Sequence, residues 1–219
     1  MKYLAILFGL FVALFPLTSC KTTEERPTAK RIAEVVDFFE KQQKAILTFA
    51  GYSGAGYEKP DHLKTIVTNI LNERDPKTTI INIGVTPDGI GIVYHWAKEM
   101  GFQTTGVVSS KALEYESAIS AHVDHPFFIE DNAWGGYIEP GNPKLTPTSE
   151  VMVKVSDEMI AIGGGNVTRD ELQEMQKRGK TIQFFPAEMN RARAIEKAKK
   201  KHLPEPTSFD GAAHQLFTR

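Results

Sequence analysis

Cysteine is nearly absent from this chain. Of 219 residues only Cys20 carries a thiol, so no intramolecular disulfide is possible. Net charge is missing too: 26 Lys and Arg face 27 Asp and Glu, a formal −1. No global positive field exists to hold a phosphate backbone, which argues against nucleic acid as the main partner. Long apolar runs are also lacking. The strongest one, Tyr3 to Leu17, falls short of the ~20 residues that span a bilayer. There is no internal repeat, low-complexity tract or interdomain linker. Gly-x-Gly-x-x-Gly and Gly-x-x-x-x-Gly-Lys-Ser/Thr do not occur, so neither the dinucleotide fingerprint nor the P-loop is supported. Gly-x-Ser-x-Gly is absent as well, because "GYSGAG" reads Gly-x-Ser-Gly.

What is present is an ordinary globular mix, 41% hydrophobic and 24% charged. That suffices for one domain with a real core. The start, "MKYLAILFGLFVALFPLTSC", places Lys2 before the apolar run and small polar residues before Cys20. This is the pattern of a secretory signal. Leu17-Thr18-Ser19-Cys20 resembles a bacterial lipobox, in which the cysteine is acylated and becomes the new N-terminus. The expected organisation is a signal peptide at 1–19, a lipidated tether at 20–30, a folded domain at 31–202 and a loose tail at 203–219. Lys21, rather than aspartate, follows the cysteine, so the expected location is the outer membrane, facing the periplasm. Two or three acyl chains would anchor stably, unlike one.

Within the domain, strands and helices alternate. "RIAEVVDFFEKQQ" has the spacing of an amphipathic helix. Strands are expected at 45–51, 78–84, 103–110, 158–164 and 180–186. Helices are expected at 58–74, 89–101, 150–156, 168–179 and 187–202. Residues 111–147 read as irregular. Alternation of this kind predicts a mostly parallel sheet flanked by helices, with ligands in the crevice at the carboxyl ends of the strands.

Three of these strands end in small-residue turns: "GYSGAG" (51–56), "GVTPDGIG" (84–91) and "GGGNVT" (163–168). Glycine lets backbone approach a ligand closely, and a helix beginning after such a turn presents free N–H groups and a positive dipole end. A plain strand-to-helix turn uses glycine as well; the fold rule that gathers all three in one crevice favours a ligand site. Thr168 with Glu171 three residues on reads as a capping box. The candidate ligand residues are Gly51, Ser53 and Gly54; Gly84, Thr86 and Gly89; Ser109; and Gly163, Gly164, Gly165, Asn166, Val167 and Thr168. Ser109 equally suits a turn hydroxyl bonding its own backbone.

Three other stretches carry chemistry. His122, Asp124 and His125 are metal-ligand types, but their spacing matches no metal pattern, and no metal is expected. Trp134 either stacks on a ligand ring or anchors its loop. The basic segment 190–202 suits acidic headgroups or plain solvation, and solvation is the simpler reading.

The succession "INIGVTPDGIG…AKEMGFQTTGVVSS", "SDEMIAIGGGNVTRDEL" and "GKTIQFFP" resembles one family. It is the Rossmann-like nucleotide-binding proteins that include the "Lonely Guy" phosphoribohydrolases, once taken for lysine decarboxylases, and the molybdenum-cofactor carrier proteins. The resemblance spans about residues 45–190. The hydrolase motif Pro-Gly-Gly-x-Gly-Thr-x-x-Glu falls on Gly163 to Glu171. Gly164, Gly165, Thr168 and Glu171 match, while Gly163 replaces the proline and Val167 the third glycine. The hydrolases' arginine on the preceding helix would fall near Thr148, and no arginine lies between Asp131 and Asn166. The resemblance implies a single Rossmann-like three-layer domain that binds a nucleotide-like or phosphorylated small molecule, as a carrier or sensor. The alternative it implies is a phosphoribohydrolase-type enzyme with Glu171 as acid/base. A non-catalytic interaction domain at the envelope is the third reading. The cofactor is unknown, and a homodimer is possible as a family habit.

Overall fold

The computed structural model describes residues 29–139, 141 and 144–218. The expected signal peptide, Cys20 and the expected tether up to residue 28 lie outside the described residues. Six parallel strands form one sheet in the order β4-β3-β2-β1-β5-β6. They are β1 (Ala45–Gly51), β2 (Thr79–Ile83), β3 (Gln103–Ser109), β4 (His125–Ile129), β5 (Glu158–Ile162) and β6 (Thr181–Phe185). The helices are α1 (Ile32–Gln42), α2 (Pro60–Asn72), α3 (Val93–Glu99), α4 (Lys111–Glu114), α5 (Pro147–Val155), α6 (Asn166–Lys177), α7 (Arg191–Lys200) and α8 (Ala212–Phe217). Among the described residues no helix is long and apolar enough to cross a membrane.

The layers follow from strand alternation. Ile46 and Ala50 of β1, Ile80 of β2, and Met159 and Ala161 of β5 face α1, α5 and α6. Their neighbours Leu47, Phe49, Ile81, Ile83, Ile160 and Ile162 face α2 and α3. Helix α2 answers with Leu63, Val67, Ile70 and Leu71, all buried on one stripe. Burying such a side chain stabilises by about 1.5–3 kcal/mol. Tyr94 of α3 is fully buried, and its hydroxyl lies 3.0 and 2.8 Å from the carbonyl oxygens of Ile83 and Thr105. One polar row crosses the α5 face: Thr105 donates to Asn82, which donates to Thr48, which meets Ser156. All four are fully buried, so their mutual bonds are what make their burial tolerable.

Three expectations change. The irregular stretch 111–147 contains a sixth strand, β4, at the sheet edge. Its first two residues, His125 and Pro126, are exposed, as suits an edge. Helix α6 starts two residues before its expected first residue, with Gly165 as N-cap and no side-chain cap. The Thr168–Glu171 capping box is therefore not formed. Finally, the described part of the tail around Gly211 and Ala213 is fastened to the domain. Ala213 is fully buried, the Gly211 N–H donates to the Tyr52 hydroxyl at 2.7 Å, and the Ala213 N–H donates to the Gly164 carbonyl at 3.2 Å.

Candidate functional site

The chain runs β1 to β4 in one direction and then returns to place β5 on the other side of β1. The strand order thus reverses between β1 and β5, where open α/β sheets hold their ligands. The turns after these two strands are "GYSGAG" and "GGGNVT", and a cavity of about 460 Å³ opens against them. Gly51, Tyr52, Ser53 and Ala55 line one side, with Gly165, Asn166, Val167 and Thr168 beside them. Helix α7 and the segments on either side of it supply the opposite wall: Met189, Ala194, Lys197, Ala198, Lys201, Leu203 and Pro206.

The three glycines at the end of β5 differ in what they do. Gly163 has φ 57, and a Cβ there would come within 2.5 Å of the Tyr52 ring and 2.7 Å of the Ala187 carbonyl. Gly164 has φ 121, and a Cβ would strike Thr168 at 2.6 Å. Both are required by the turn and its packing. Gly165 is different: a Cβ there meets nothing within 4 Å. It faces the open cavity. At the start of α6 the Arg169 N–H donates to the Gly165 carbonyl at 3.0 Å. The N–H groups of Asn166, Val167 and Thr168 thus precede the helical ladder. With the dipole of a 12-residue helix behind them, they favour an anion. Lys197 and Lys201, one helical turn apart, line the same cavity and make no ion pair among the described residues.

The remaining candidates are placed differently. A Cβ on Gly51 would lie 2.1 Å from the Tyr57 hydroxyl, so this glycine makes room for Tyr57. Ser53 and Gly54 are exposed, and Ser53 lines the cavity. Gly89, φ 60, packs on the carbonyls of Tyr52 and Ser53 and borders a separate hollow with Gly56 and Arg193. Gly84 and Thr86 are half-buried, and Thr86 accepts the Asp88 N–H within its own turn. Ser109 is fully buried, donating to the Asp131 carbonyl and accepting from the Lys111 N–H. None of Gly84, Thr86, Gly89 or Ser109 lines the α6–α7 cavity.

Glu171 also stands outside that cavity's lining. It is 5% exposed and accepts a 2.6 Å hydrogen bond from Ser149 of α5. Burial raises its pKa to about 7, against the lowering effect of that bond. Ser149 thus occupies the place opposite the carboxylate, one residue from Thr148, where the resemblance expects an arginine. The histidine loop is engaged elsewhere. Asp124 pairs with Lys98 at 2.8 Å, His122 lies against His95, and His125 lies against Phe38. Among the described residues no group of three His, Cys, Asp or Glu could hold a metal.

A second cavity, about 480 Å³, lies beyond β5 between Tyr57, His62, Pro186 and Asp210. Glu58, Glu188 and Asp210 line it, and Arg191 is already bound to Glu188 at 2.8 Å. Three carboxylates oppose an anion there, so the α6–α7 cavity is the better phosphate site. The residues that sequence reasoning missed are Lys197 and Lys201. Their spacing, interleaved with the buried Ala194 and Ala198, marks a helix edge turned toward the protein.

No family model and no curated protein matches the chain. Among solved structures, the molybdenum cofactor binding protein of the phototrophic bacterium Rippkaea orientalis is 18% identical, with a TM-score of 0.48. The match covers 73% of this chain and 85% of that one. The molybdenum cofactor carrier protein of Chlamydomonas reinhardtii is 19% identical, with a TM-score of 0.46. That match covers 72% of this chain and 97% of the other.

Proposed function

We propose that this chain binds a phosphorylated, nucleotide-like small molecule at the β1–β5 switch point and serves as a carrier or sensor. The observation that supports this most is the α6 N-terminus opening, through Gly165, onto a cavity edged by the unpaired Lys197 and Lys201. Backbone N–H groups would bind the phosphate, and the lysines would neutralise it. Ala194, Ala198, Met189 and Leu203 give the cavity an apolar wall for the rest of the ligand.

The test is thermal unfolding of the full chain with inorganic phosphate, ribose 5-phosphate, nucleoside monophosphates, ADP-ribose and NAD. A ligand at a hundred times its Kd stabilises by ~2.7 kcal/mol. The shift should vanish in the double variant Lys197→Glu, Lys201→Glu, whose exposed side chains carry little of the fold. No shift with any compound would leave the interaction-domain reading in its place.

Hydrolysis is the second reading, kept for one observation: a carboxyl near pKa 7 suits general acid/base work. Its burial, its Ser149 partner and its absence from the cavity lining weigh against it. Release of free base or ribose phosphate from any nucleotide, abolished by Glu171→Gln, would reinstate it.

Acylation of Cys20 and display on the periplasmic face of the outer membrane complete the proposal. Labelling with a clickable palmitate analogue tests the anchor; label retained in Cys20→Ser would sink it. Association into homodimers is checked by sedimentation.

A further inference from the structure

We infer that Tyr115 and Trp134 form an aromatic shelf beside the cavity, selecting phosphorylated ligands that carry a flat heteroaromatic ring. This rests on the phosphate site proposed above. The two rings lie 5.8 Å apart at 40° and are 66% and 50% exposed. Trp134 has no other ring contact or hydrogen bond among the described residues. Half of a large indole therefore faces solvent.

The loop that carries it is fastened on both sides. The Asp131 carboxylate accepts the Ala133 N–H at 2.8 Å and the Thr148 N–H at 2.9 Å. The Asp131 carbonyl accepts the Ser109 hydroxyl at 3.0 Å. Beyond the tryptophan, the Gly136 N–H donates to Ser149 at 2.7 Å and the Tyr137 N–H to Asp170 at 3.0 Å. These bonds hold the loop without help from the indole. A loop backbone held this firmly need not be ordered by the ligand, which lowers the cost of stacking there.

The loop that carries Trp134 adjoins a residue of the cavity wall. Gly135 has φ 121, and a Cβ there would touch Val167 Cγ1 and Ser149 Oγ, each at 3.0 Å. Val167 in turn lines the cavity and has one of the first N–H groups of α6. Trp134 is one Cα step, ~3.8 Å, from Gly135. A ligand whose phosphate sits over the first turn of α6 would cross Val167 to reach this loop. Opposite-charge capture at one end and stacking at the other is the division of labour that a nucleotide requires.

Trp96 and Trp134 are the chain's two tryptophans. In a Trp96→Phe background Trp134 is the sole indole emitter. The full chain would be titrated with ribose 5-phosphate and with adenosine, guanosine, cytidine and uridine monophosphates, by fluorescence and by calorimetry. At least one nucleotide should bind roughly tenfold tighter than ribose 5-phosphate and quench Trp134. Trp134→Ala should bring that nucleotide to the sugar phosphate's affinity and leave the sugar phosphate unchanged. Tyr115→Ala should move the same way by less, and it keeps the test open if the tryptophan variant folds poorly. Nucleotides and sugar phosphate binding alike would overturn the shelf while sparing the phosphate site. Binding of none of them would overturn both.

Discussion

Replacing Gly165 by Asp should make the protein more stable and abolish anion binding at once. Gly165 is the N-cap of α6, with φ −90 and ψ −155, in an extended conformation open to any residue. A Cβ there meets nothing within 4 Å, so no steric cost opposes the change. Asp is a better N-cap than Gly by a few tenths of a kcal/mol. Its charge at the helix N-terminus adds about 0.3–1 kcal/mol. For a domain of this size the sum raises Tm by about 1–5 °C. The same carboxylate would sit at the phosphate position and repel it. Wild type at a hundred times Kd should gain about 5–10 °C from its ligand, and Gly165→Asp should gain nothing. The assay is differential scanning calorimetry with and without a phosphorylated ligand. A loss of more than ~2 kcal/mol in the unliganded variant would show that the turn is not as described. An unchanged ligand shift would show that the anion binds elsewhere.

Two other substitutions probe the surroundings of the site. Glu171 has a folded pKa of about 7, above the ordinary 4.5. The native state keeps a proton that the unfolded state releases between those values, so stability falls as pH rises through that window. Glu171→Gln should remove this slope and gain up to about 3 kcal/mol at pH 8, with no gain at pH 4, as read by urea melts. Tyr52→Phe deletes the hydroxyl that accepts the Gly211 N–H and donates to the Ala187 carbonyl. It should cost about 1–3 kcal/mol and speed amide exchange at Gly211 and Ala213 before the rest of the domain. Uniform exchange would deny that Tyr52 holds the tail.

Five of the six strands were legible: β1, β2, β5 and β6 are largely apolar runs closed by glycine or proline, and β3 carries the β-branched cluster Thr104, Thr105, Val107 and Val108. β4 was not. It begins His125-Pro126 on an exposed edge, so only Phe128 and Ile129 are buried and no alternation forms. Helix α8 escaped because what fixes it is distant in sequence: the Tyr52 hydroxyl and the Gly164 carbonyl. The lysines of the cavity escaped for a related reason. α7 reads as a basic, solvated helix, and only its docking across the β1–β5 crevice sets the exposed Lys197 and Lys201 along the cavity's edge.

The glycine triplet shows where sequence reading must stop. Gly163, Gly164 and Gly165 are identical letters in one turn, yet two of them are occupied by the protein itself. Gly163 lies under Tyr52, and the Gly164 carbonyl is bound by the tail. A strand-to-helix turn needs both whether or not a ligand exists. Gly165 has negative φ and empty space around it, so the fold imposes no need for glycine there. A ligand lying against the backbone would impose one. Ala at this position separates the two demands. It should cost the unliganded fold no more than about 1 kcal/mol, since Gly is the better N-cap of the two but no contact is lost. If ligand affinity falls tenfold or more in Gly165→Ala, the glycine serves close approach of an anion. If affinity is unchanged, the open space is incidental and the phosphate is held by the lysines alone.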